Sequence, residues 1–136
     1  MIDRALREQA RVYFLPYILG NCKTAHRISR KIYRTYGIAP YICAQKRTLS
    51  DWLDLSCRFL PISPTNSSRL FAEQLTALVQ NERFVLPMLI AVDAKYAAFV
   101  SEQRELLESY FVITDEQGFF DDAVISRAIK QGAANK

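Results

Sequence analysis

Nothing in this sequence is apolar for long. The longest unbroken apolar stretch, Phe84 to Val92, contains Pro87 and falls far short of the roughly 20 residues that a membrane-spanning helix needs, so no membrane partner is expected. The residues up to Arg11 alternate charges with a few apolar groups and lack the apolar middle of a secretory signal, which makes the cytoplasm the expected location. Cysteine is scarce: Cys22, Cys43 and Cys57 are an odd set of 3 without CxxC spacing, beside a single histidine, which points away from a disulfide framework and a zinc site and towards reduced, packed thiols. Neither GxGxxG nor GxxxxGK[ST] occurs, which removes the usual phosphate-cradling signatures. A receiver-like regulatory module would need an acidic pair near the end of the first strand, and none is there. Internal repeats and low-complexity segments are missing as well.

What is present is enough apolar material for one core, 50% of 136 residues, in a chain of ordinary single-domain length. The formal charge of +4 hides a split: residues 1–47 hold 10 Lys or Arg against 2 acids, and residues 48–136 hold 8 against 12. Apolar runs at Val12–Leu19, Ile38–Ala44, Ser56–Ile62, Met88–Val92 and Phe111–Thr114 read as strands. Between them, helical spacing recurs in Ala25, Ile28, Ile32 and Tyr36, then in Leu70 to Val79, then in Tyr96 to Tyr110, with a short helical turn at Leu49–Leu55. Thr24 is placed to cap the first helix and Gly37 to close it in a left-handed turn. Pro16, Pro40 and Pro87 introduce three of the strands, where a proline misses no ladder donor. Phe119–Ile129 reads as a last amphipathic segment.

The alternation specifies an α/β fold, a doubly wound, mostly parallel sheet of about five strands with helices on both faces, Rossmann-like, over residues 12–131. Residues 1–11 form an N-terminal extension and 132–136 a polar, frayed tail.

In such sheets ligands bind beyond the carboxyl ends of the strands, at the switch in strand order, which selects the loops after the first and fourth strands. These are Gly20-Asn21-Cys22-Lys23-Thr24, opening a helix whose free N–H groups and Lys23 suit a carboxylate or phosphate, and Asp93 to Tyr96. Asp93 suits either a helix cap or a ligand. Cys22 lies beside Lys23 at a helix start, where a thiol can be activated, yet the nearest imidazole, His26, has no identifiable carboxylate to orient it and reads as a surface residue. No catalytic residue or metal ligand is assigned on this basis. Lys23, Arg27, Arg30 and Arg34 form a basic stripe on the far side of that helix, suited to a solvated face or to an acidic partner; no nucleic-acid motif accompanies it.

The order Pro16-Tyr17-Ile18-Leu19-Gly20, a helix, Tyr36-Gly37-Ile38, a strand, then Val92-Asp93 with Tyr96, Arg104-Glu105-Leu106 and Tyr110-Phe111-Val112 resembles the N-terminal, pre-ATP-grasp domain of ATP-grasp carboxylate-amine ligases, D-aspartate ligase-like, across residues 14–131. Such enzymes activate a carboxylate as an acyl phosphate with ATP and Mg²⁺ before an amine attacks. The resemblance implies a substrate-side domain lacking the ATP-binding subdomains and not catalytic alone. It carries no cofactor itself, ATP and Mg²⁺ being implied for a full-length parent, and its partners would be the ATP-grasp domain, in cis or in trans, and a small carboxylate or amino-acid substrate. Gly20, Asn21, Cys22, Lys23, Thr24, Asp93 and Tyr96 would line the substrate side. One departure is Asn21-Cys22-Lys23, where such domains more often carry a glycine-rich turn. The alternative is a free-standing Rossmann-like module that binds a nucleotide or small anion, or docks to an acidic partner.

Overall fold

The apolar runs become the strands of one sheet. A computed structural model describes residues 4–5, 14–80, 86–121 and 123–127; the expected N-terminal extension and polar tail lie almost entirely outside these, as does the beginning of the first expected strand. In chain order the elements are β1 (Phe14–Leu19), α1 (Lys23–Tyr36), β2 (Tyr41–Ala44), α2 (Leu49–Leu53), β3 (Arg58–Pro61), α3 (Ser68–Val79), β4 (Leu86–Ala91), α4 (Ala94–Glu102), α5 (Arg104–Glu108) and β5 (Val112–Ile113). A 3-10 turn at Gln117–Phe120 and a helical stretch over 123–127 follow.

All strand pairs are parallel and the order across the sheet is β3-β2-β1-β4-β5, the doubly wound, Rossmann-like arrangement. Successive side chains of β1 point to opposite faces, so Phe14 and Ile18 pack with Ile28, Ile32 and Tyr36 of α1, while Tyr17 and Leu19 pack with Phe71 and Leu75 of α3 and with Phe99 of α4. Each face thus carries its own apolar layer. Tyr36 donates its hydroxyl hydrogen to the Phe119 carbonyl, which fixes the chain after β5 against α1.

The prolines have a more specific role than opening strands. Pro16 is the third residue of β1 and Pro87 the second of β4, and both pair along the β1–β4 ladder. β1 gains its second neighbour at Tyr17, opposite Tyr41, and β4 gains its second at Met88, opposite Val112. Each proline therefore stands one residue before its strand becomes two-sided, so its missing N–H has an unpaired side to face. Pro40 immediately precedes β2.

Two other expectations shift. α1 begins at Lys23, with extended Cys22 rather than Thr24 at the N-cap and no side-chain cap bond. The single helix expected over Tyr96–Tyr110 is two, because Gln103 (φ −110°, ψ 25°) leaves the helical region between α4 and α5. Gly37 does close α1 in the left-handed conformation, its N–H donating to the Tyr33 carbonyl at 2.8 Å.

Candidate functional site

The carboxyl ends of β1, β2 and β4 open onto a crevice of about 320 Å³ lined by Gly20, Asn21, Ala44, Gln45, Lys46, Thr48, Asp93, Lys95 and Tyr96. The two loops selected by the switch-point rule therefore meet: Gly20 and Asn21 from one, Asp93 and Tyr96 from the other. Lys46 and Lys95 bring two cations to the rim, both exposed.

Gly20 is required by packing. Its φ is +119°, and a Cβ there would lie 3.0 Å from Val92 Cγ2 and 3.1 Å from Asp93 Cβ, so the β1 and β4 exits touch directly at the crevice floor. Asp93 caps α4, accepting from the Lys95 N–H at 2.8 Å and the Tyr96 N–H at 3.4 Å, which settles its role as a cap. Tyr96 is buried, with its ring stacked on Phe71 at 5.3 Å; burial and the Asp93 carboxylate push its hydroxyl pKa up, against an opposing contact with the Gln45 backbone. Asn21 donates both amide hydrogens, to the Lys46 carbonyl and to Asp51 Oδ2, each at 2.8 Å, leaving its side-chain oxygen for a ligand.

Cys22 and Lys23 lie on a second cavity of about 870 Å³, shared with His26, Arg30, Leu53 and Leu55, and Thr24 is an exposed residue of the first turn of α1 that lines neither cavity. The N–H groups at that helix start have no side-chain cap and no acid in the first turn.

His26 overturns the expectation of a surface imidazole without a carboxylate. It is 5% exposed, with Nε2 2.7 Å from Asp51 Oδ1 and Nδ1 2.6 Å from Asp54 Oδ2. Only a ring carrying hydrogen on both nitrogens donates to both oxygens. Asp51 also joins a capping box at the start of α2: the Thr48 N–H donates to Oδ2 at 2.7 Å and the Asp51 N–H donates to Thr48 Oγ1 at 3.3 Å. Burial works against ionisation of Asp51, but donation from the Thr48 backbone, Asn21 and His26 outweighs it and holds the carboxyl below its usual range. Asp54 behaves alike, its burial outweighed by the Ser56 hydroxyl, His26 and the Ser56 N–H.

This geometry argues against nucleophilic chemistry. With both His26 nitrogens committed, none remains to take a proton from Cys22. Among the described residues, His26, Asp54 and Cys57 are the group whose ligand atoms, all within 4.8 Å of one another, could hold a metal. Their contacts close among themselves, however: His26 Nδ1 faces Asp54, and the Cys57 thiol donates to the Asp54 carbonyl at 3.6 Å. Burial first, then the Asp54 and Asp51 carboxylates, push that thiol up to about 12, and burial does the same to Cys43. Iodoacetamide at neutral pH should accordingly modify exposed Cys22 at least about tenfold faster than Cys43 or Cys57, as read by mass spectrometry of the digested protein. Equal rates at all three would contradict the packing.

The basic stripe is exposed at Lys23, Arg27, Arg30 and Arg34, but Arg27 is committed to a fork with Glu116, and neighbouring Lys31 lies 4.3 Å over the Phe120 ring. The sequence missed Asp51 and Asp54 as partners of His26; the one local sign was the Thr48-x-x-Asp51 spacing of a capping box. No helix among the described residues is long and apolar enough to cross a membrane. Comparison with protein-family models, curated proteins and solved structures gives no match.

Proposed function

We propose that this chain is the substrate-side N-terminal domain of an ATP-grasp ligase joining a carboxylate to an amine, not catalytic alone. The observation that carries the reading is the meeting of the β1 and β4 exit loops at one crevice with Lys46 and Lys95 on its rim. Among the described residues, the one acid lining that crevice is Asp93, which is turned to capping α4, so the rim favours an anionic ligand. The residue order from Pro16 to Val112 that resembles pre-ATP-grasp domains supports the same reading. ATP and Mg²⁺ belong to the ATP-grasp subdomains, in cis or in trans, and no residue here is assigned to them.

The pure chain should release no phosphate from ATP and Mg²⁺, and calorimetry should record saturable heat with an amino acid or small dicarboxylate at millimolar concentration. Robust magnesium-dependent hydrolysis by this chain, or no heat with any amino acid or small carboxylate, overturns the proposal.

A second reading, a free-standing module for a nucleotide or small anion, draws on the uncapped N–H groups at the start of α1 beside Lys23. Nucleotide binding stronger than that of any amino acid would favour it.

A further inference from the structure

α2 is built inside out. Its apolar residues Leu49, Trp52 and Leu53 stand at i, i+3 and i+4, the spacing of a core-facing stripe, yet they are 72%, 64% and 70% exposed, and Leu55 just beyond is 90% exposed. The residue turned inward is Asp51, 3% exposed. The inversion is fixed at both ends, by the Thr48 and Asp51 capping box, by Asn21 and His26 on Asp51, and by His26 and Ser56 on Asp54. A short segment anchored so firmly and turning four large apolar side chains to water is a prepared contact surface.

Its charge says what it meets. Leu53 and Leu55 share a cavity with the exposed cations Lys23 and Arg30, neither of which has an ion-pair partner among the described residues. Arg47, also exposed, lies 3.6 Å over the Trp52 ring. Asp54, the acid on this cavity, is taken by His26. We infer that the Leu49–Leu55 knuckle docks a protein surface with an apolar centre flanked by carboxylates. A second copy of this chain would bring cations against cations. A nucleic acid would want stacking faces, but the centre is mainly aliphatic and one face of the single tryptophan is taken by Arg47. This surface lies beside the crevice of the proposed ligase role, and the inference does not depend on that role.

Trp52, the only tryptophan, reports on its own patch. The probe is a designed amphipathic helix with leucines on one face and flanking glutamates, titrated into the full chain at low salt and followed by Trp52 emission. The expected result is a saturable blue shift, with affinity at least about tenfold above that for a lysine-flanked version of the same helix. Exchanging exposed Leu55 for glutamate should weaken binding by about tenfold or more without altering the fold, since that side chain touches little in the free domain. No binding, equal affinity for both charge versions, or insensitivity to Leu55→Glu overturns the proposal. So does stronger quenching by a single-stranded oligonucleotide, or sedimentation showing dimers that Leu55→Glu dissolves.

Discussion

Replacing Asp51 with alanine should lower the stability of the domain in urea unfolding by about 2–4 kcal/mol, because the buried His26 Nε2 loses its carboxylate partner, although Nδ1 keeps Asp54. It also removes the acceptor for the Thr48 N–H and for one hydrogen of Asn21, so the loop after β2 loses one of its attachments to the loop after β1, the Asn21–Lys46 bond remaining. Asp51→Asn keeps the shape and some acceptor capacity and should cost less. A loss below about 1 kcal/mol for the alanine variant would mean that the buried network contributes only geometry.

The same network sets an acid limit. Asp51 and Asp54 titrate in the fold below the usual carboxylate range, so their contribution is complete above the unfolded value of about 4 and is lost as the pH falls through the lowered folded values. Stability of the parent should therefore drop below about pH 4, and the Asp51→Ala variant should show a shallower slope there. Parallel curves for the two proteins would remove these carboxylates from the explanation.

Ile90→Asp should cost roughly 4–6 kcal/mol, enough to unfold a domain of ordinary stability. Ile90 sits in β4, the strand between β1 and β5, opposite Ile18 of β1 and 6% exposed, in the layer that packs on α1. A carboxylate there has no partner, whereas Leu55→Glu on the exposed knuckle should leave stability within about 0.5 kcal/mol. The contrast, read by circular dichroism during thermal melting, separates core from contact surface. A folded Ile90→Asp protein with unchanged melting would refute the central position of β4.

The sheet was legible because parallel strands buried on both faces appear as plain apolar runs, and because Gly20, Gly37 and the prolines punctuate them. Placing the crevice needed only the strand order, since the switch-point rule names the loops after β1 and β4 without any side-chain detail. The His26 network was not legible, because its partners lie 25 and 28 residues away in sequence. Nothing local distinguishes a histidine in the first turns of α1 that meets such partners from one that meets water. The short helical turn at α2 was legible but its orientation was not: Leu49, Trp52 and Leu53 carry the spacing of a core stripe, and the capping and ion-pair demands of Asp51 turn the segment over. The break at Gln103 carries no glycine or proline to announce it.

Amide chemical shifts are the most direct test of the crevice as the ligand site. Titrating a panel of amino acids and dicarboxylates into the isotopically labelled chain should move the amides of Gly20, Asn21, Lys46 and Lys95 together and saturably in the millimolar range, while Gly37 and Tyr41 at the opposite end of the sheet stay still. Saturable shifts centred elsewhere, or none with any small carboxylate, would contradict a substrate-side role for this domain.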